Sequence, residues 1–183
     1  MEISAINGRI APCMRRFALI LIFSLLAAVK TGAADPESEQ FQAATAAFND
    51  KFYERADQQL GEFVAKYPNS TYSSLALLMQ GQARALQKKF DPALEVLKKN
   101  EAKAGPLLDQ FLFWEGEALF QKGDFGGAAQ MYARVLSEFP HSPLALQTAF
   151  SEAGSLFQGK DFNAVITKLR DPKGSFAVLG AAT

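Results

Sequence analysis

The chain has 183 residues, 49% of them hydrophobic, enough to bury a substantial core as one domain. Its 19 basic and 19 acidic residues cancel. Residues 1–34 hold four of the basic and one of the acidic residues, so the remainder carries 15 against 18, a net −3 with no basic stripe, which argues against nucleic acid as a partner.

The first 34 residues read as an export signal. Arg15-Arg16 supplies the positive start, Phe17 to Val29 is apolar except for Ser24, and Thr31-Gly32-Ala33-Ala34 supplies small residues for cleavage before Asp35. A helix of that apolar run rises only about 20 Å, short of a hydrocarbon core of about 30 Å. The alternative is an uncleaved membrane anchor. Met14 directly precedes the two arginines, which makes 1–13 an upstream mis-start in one reading. Cys13, the single cysteine, lies before the apolar run, whereas a lipid-anchoring cysteine stands at its end. The chain after the leader has no thiol and no disulfide, which suits a bacterial periplasm.

From Glu37 onward the apolar spacing is helical, with no convincing period-two strand. Helices are expected near 37–50, 53–67, 71–88, 92–103, 106–122, 126–138, 143–158 and 162–170. Asp91-Pro92 and Ser142-Pro143 offer a cap followed by proline at the first helical position. Tyr67-Pro68-Asn69-Ser70 and Phe139-Pro140-His141-Ser142 are near copies 72 residues apart, in which proline ends one helix and serine can cap the next. Lys122-Gly123-Asp124-Phe125 and Gly159-Lys160-Asp161-Phe162 read as tight turns inside hairpins.

These breaks recur in phase. Tyr53, Phe90, Phe125 and Phe162 stand 37, 35 and 37 residues apart. Nine residues before each is a small residue (Ala44, Gly81, Gly116, Ala153), and three after each is a small apolar one (Ala56, Ala93, Ala128, Val165). A period near 35 with residue classes in fixed phase marks a helical-hairpin solenoid. Gly81 and Gly116 would each cost about 1 kcal/mol in an isolated helix, so their recurrence points to close helix contact.

On these residues the chain resembles the tetratricopeptide repeat family. Gly116, Phe125, Ala128 and Pro140 carry its full small–aromatic–alanine–proline pattern, as do Ala44, Tyr53, Ala56 and Pro68. The second unit has Gly105-Pro106 at the proline position, and the fourth has Val165 for alanine and no proline. The aromatic-Pro-x-Ser breaks are similar to the bacterial cell-envelope branch, with repeats like those of the Tol-Pal coordinator and the outer-membrane assembly lipoprotein. No coiled coil fits between Asp35 and Glu37 and no lipobox is present, so the resemblance implies architecture and compartment rather than either job. The expected fold is all-α: a right-handed solenoid of about four hairpins (37–70, 71–105, 106–141 and 142–170, within a repeat domain of 35–170) after an N-terminal signal helix. Residues 171–183 then begin a further repeat or close the array.

In such repeats the first helix of each pair lines the concave face, which implies a groove for a protein or peptide partner. Candidate residues are Phe41, Phe48, Gln82, Phe113, Trp114, Glu117, Phe120, Gln121, Phe150 and Phe157. Phe41–Phe48, Phe113–Phe120 and Phe150–Phe157 are each seven apart, two helical turns. Phenylalanines at that spacing are either a groove or ordinary core. Trp114 is either a partly exposed anchor or core. The amides can hydrogen-bond a peptide backbone or simply be solvated.

No catalytic centre is expected. His141 is the only histidine, no carboxylates cluster at ligand spacing, and no nucleophile elbow or phosphate loop appears. No metal, cofactor, small-molecule substrate or nucleic acid is expected, and a membrane only through an uncleaved leader. The reading is a non-catalytic exported scaffold of the cell envelope. The alternative is the N-terminal repeat portion of a larger envelope enzyme or secretion machine that recruits its substrate.

Overall fold

A computed structural model describes residues 35–171 together with Gly174, Phe176 and Ala177. The expected leader and most of the segment after Asp171 lie outside the described residues. From Pro36 onward the chain forms one compact unit. Among the described residues the elements are eight α-helices and two short 3₁₀ turns, with no strand: α1 (Pro36–Asn49), α2 (Tyr53–Lys66), α3 (Ser73–Leu86), α4 (Phe90–Lys99), α5 (Leu108–Lys122), α6 (Phe125–Glu138), α7 (Ala145–Gln158) and α8 (Phe162–Arg170). Each helix packs chiefly against its neighbours in sequence, giving four stacked hairpins, the arrangement of a repeat solenoid.

The hairpin turns share one backbone device. Lys51, Lys88, Gly123 and Lys160, each two residues before its in-phase aromatic, take φ of 63°, 62°, 92° and 64°. The next amide then donates five residues back: Phe52 to Ala47, Lys89 to Arg84, Asp124 to Leu119 and Asp161 to Leu156, each at 2.9 Å. This is the 6→1 bond of a Schellman ending, which normally recruits glycine to the left-handed position. Only the third turn has one. Three turns hold the same geometry with lysine.

The aromatic after each turn closes the hairpin tip. Tyr53, Phe125 and Phe162 meet Phe48, Phe120 and Phe157 edge-on at 5.6, 5.4 and 5.4 Å. The second hairpin has Ala85 in place of the first ring, and Phe90 is only half-buried there. Deeper in the hairpin the small residues set the helix separation. A Cβ on Gly81 would stand 2.6 Å from Leu97, and one on Gly116 would stand 2.6 Å from Tyr132. Close packing thus offsets the helix cost of both glycines. Leu60, Leu97 and Tyr132, seven residues after the tip aromatic, are wholly buried, whereas Leu169 in the same phase is exposed.

Several local expectations need correction. Helix α4 ends at Lys99, and 101–107 is two 3₁₀ turns rather than helix to 103, because Asn100 folds its amide onto Val96 O at 2.8 Å. Asp91 does not cap α4. The helix starts one residue earlier at Phe90, and the exposed Asp91 pairs with Lys122 at 2.5 Å. The capping aspartates are Asp124 and Asp161, which precede their aromatics and accept from Gly127 N at 2.9 Å and Ala164 N at 3.0 Å. Ser70 and Ser142 are not helix caps either. Each Oγ accepts from the amide two residues on (Tyr72 at 3.0 Å, Leu144 at 3.1 Å) and donates to a carboxylate at the start of the preceding first helix. Those carboxylates are Glu37 for Ser70 and Asp109, at 2.5 Å, for Ser142.

Candidate protein-binding surface

All ten expected residues lie on the first helices of their hairpins, but their surroundings differ. Phe41 is buried, stacked on Tyr72 at 4.7 Å and tilted against Phe63 at 5.4 Å. Phe113 is buried against Tyr132 at 5.7 Å and meets Trp114 edge-on at 6.3 Å. Phe48, Trp114 and Phe120 are half-buried on the edges of the same cores. Phe150 and Phe157 are 61% and 57% exposed. Phe150 meets the edge of Phe176, at 5.3 Å, from beyond the last helix. One heptad of identical residues therefore gives packing in the first and third hairpins and open apolar surface in the last.

Among the polar candidates, Gln82 is half-buried and Gln121 is exposed. Glu117 is held inside the array. Its Oε1 accepts from the Tyr132 hydroxyl at 2.7 Å and lies 3.5 Å from Ser151 Oγ, linking α5, α6 and α7. Burial, and then the bond to Glu117, push the Tyr132 phenol well above its ordinary ionisation range. Glu117 is thus a tie between elements, with its carboxylate already occupied.

A second polar series runs one residue before the small residues, at Gln80, Glu115 and Glu152, and all three are buried. Gln80 donates to Asp57 Oδ1 at 3.0 Å, and Arg84 Nε meets the same oxygen at 2.8 Å, fastening the first hairpin to the second. Glu152 accepts from Lys168 Nζ at 2.6 Å. Glu115 is fully buried, and neither of its carboxyl oxygens has a hydrogen-bond partner among the described residues. Burial, reinforced by the Glu101 carboxylate, lifts its pKa to about 7. The 35- and 37-residue intervals between its members are the repeat period itself, the one signal in the sequence that marks this series.

A hollow of about 580 Å³ opens at the tip of the first hairpin, walled by Phe52, Tyr53, Arg55, Gln58 and Gln87. None of the ten expected residues lines it. Among the described residues no three or more His, Cys, Asp or Glu side chains gather as a metal site, and no helix is long and apolar enough to cross a membrane.

The third hairpin, with its glycine under Tyr132, its ring pair at the tip and its proline exit, decides the family comparison. Residues 110–142 match the tetratricopeptide repeat. The match begins in the first turn of α5 and ends at Ser142, which is one hairpin with its outgoing turn. The other three hairpins repeat its tip turn in phase, and the fold is a tetratricopeptide-like solenoid of α-helices. No curated protein matches the chain. Tetratricopeptide repeats generally mediate protein–protein contact, so the coarse role is that of an interaction module.

Proposed function

We propose that the protein is an exported, non-catalytic scaffold that binds partner proteins in the cell envelope through the first-helix side of its tetratricopeptide array. The observation that carries the reading is the exposed pair Phe150 and Phe157, two turns apart on α7, flanked by the exposed amides of Gln147 and Gln158. Exposed aromatics beside charge-free hydrogen-bonding groups suit an apolar peptide segment whose backbone also needs partners. Export rests on the sequence: paired arginines, a short apolar run, small residues before Asp35, and no cysteine after it.

The test is cross-linking of the full chain in intact cells, followed by identification of what is captured. Phe113→Ala is a poor probe, because that ring is buried on Tyr132 and its loss leaves a cavity. Phe150→Ala with Phe157→Ala is the informative variant. It should keep its melting temperature and lose most of the captured partner; undiminished capture removes this surface from consideration. N-terminal sequencing of the exported protein distinguishes a cleaved leader from a retained anchor.

A second reading, the repeat portion of a larger envelope enzyme or secretion machine, draws support from α8. Ile166 and Leu169 are exposed, while Leu94 and Leu97, in the same phase of the second hairpin, are covered. A non-repeat coding sequence continuing after Thr183 would favour it, and an in-frame stop there would remove it.

A further inference from the structure

We propose that Glu115, a fully buried and unpartnered carboxyl where the second hairpin meets the third, is a pH-operated latch whose ionisation beside Glu101 loosens that junction. The geometry comes first. Glu115 sits on α5 with no exposed surface, and both its oxygens lack a hydrogen-bond partner among the described residues. An ionised carboxylate in that position would lose its hydration with no hydrogen bond to replace it. The neutral acid carries a far smaller penalty, so the fold selects the protonated form.

The groups around it set the direction. From the 3₁₀ turn Glu101–Lys103, Glu101 presents a second carboxylate; from α4, Lys98 brings one positive charge; from α6, Arg134 brings another. Arg134 is already engaged, its Nη2 on Glu101 at 3.2 Å and its Nε on Glu138 at 3.0 Å. Helix α3 also packs on α5, but its one ionisable side chain, Arg84, is held by Asp57 and the Pro92 carbonyl. The turn Gly105–Leu107 carries no charge. On α5 itself, Asp109, Glu117 and Lys122 are bound to Ser142, Tyr132 and Asp91. Loss of the Glu115 proton therefore places a new charge beside Glu101, whose own cation is shared. The element beside the new charge is the short turn pair 101–107, held by Ser74 Oγ on the Lys103 carbonyl at 2.5 Å, by the buried Ala104 and by the Arg134 bridge rather than by a long helix of its own.

The experiment measures amide exchange of residues 100–108 in the full chain between pH 5 and 9, expressed as protection so that intrinsic rates cancel. Protection should fall about tenfold per pH unit from pH 5 toward about 7 and be level above it, the change in an opening equilibrium that one pKa unit represents. Glu115→Gln should keep high protection at every pH with no step. Glu101→Gln should move the step to lower pH, because the like charge is gone. His141→Gln should leave the step in place, since the only histidine lies in an exposed turn. Should Glu115→Gln fold poorly, the wild-type infrared spectrum decides. A protonated-carboxyl band that persists at pH 6 and vanishes by pH 8, with protection levelling off as the band disappears, supports the latch. A flat protection profile, a step that survives in Glu115→Gln, or no such band at pH 6 overturns it.

Discussion

The ring of Tyr132 fills the space that a side chain on Gly116 would need, its Cε1 lying 2.6 Å from where a Cβ would stand. Gly116→Ala gains about 1 kcal/mol of helix propensity but forces a buried ring that is also bonded to Glu117 to move. The expected net is a loss of about 1–2 kcal/mol, since overpacking a core typically costs about 1–3 kcal/mol. Gly154→Ala on α7 is the contrast. Nothing lies within 4 Å of its added methyl, so it should stabilise by up to about 1 kcal/mol. Denaturant midpoints of the two variants, moving in opposite directions, check the pair.

Three lysines hold left-handed backbone that costs an L-residue about 1–2 kcal/mol. Glycine removes that strain and returns about 0.5–1 kcal/mol as unfolded-state entropy. Lys51→Gly, Lys88→Gly and Lys160→Gly should each stabilise by about 0.5 kcal/mol, the difference between those terms. Gly123→Ala should lose about 1 kcal/mol by the same strain. Thermal melting of the four variants is sufficient.

Capping separates residues that look alike. Removal of Asp124 or Asp161 by alanine should cost about 1 kcal/mol each, because an orphan amide loses its acceptor. Asp91→Ala removes only an exposed ion pair with Lys122 and should change stability by no more than about 0.5 kcal/mol. Chemical denaturation at moderate salt discriminates them, and equal losses would refute the assignment.

Much of this architecture was legible because it depends on residue class at fixed spacing. The tip aromatics and the small residues nine positions earlier act through contacts inside one hairpin, and such contacts repeat whenever the residues do. Burial is not local in that sense. Phe113 and Phe150 occupy the same phase, yet one is packed on Tyr132 and the other is exposed, because burial depends on what is stacked beyond. The cap error has a simpler origin. Asp91 follows its aromatic, whereas Asp124 and Asp161 precede theirs, and alignment on the ring would have separated them. Glu115 was missed because a charge in a helix reads as surface until the interval to Gln80 and Glu152 is compared.

Glu115 also gives the fold a pH slope of definite sign. Its folded pKa is about 7, above the ordinary 4.5. Between those values the folded chain holds a proton that the unfolded chain has released. Stability is therefore greatest below about pH 4.5, falls as pH rises toward about 7 and is level beyond, with a total on the order of 3 kcal/mol. Urea midpoints at intervals from pH 4.5 to 8 should show that decline in the wild type, and Glu115→Gln should flatten it.

Ser70 with Glu37 and Ser142 with Asp109 are the same clasp, 72 residues apart, and each ties the start of a hairpin to the loop that launches the next. The intervening loop is joined differently: it has two 3₁₀ turns, Ser74 Oγ at the start of α3 donates to the Lys103 backbone carbonyl at 2.5 Å, and Glu101 bridges to Arg134. The unit that recurs faithfully is thus a pair of hairpins. Mechanically the array is two links clasped by serine–carboxylate bonds and one joined through a backbone carbonyl and a half-exposed ion pair, and a load along its length should part it at residues 101–107 before either link opens.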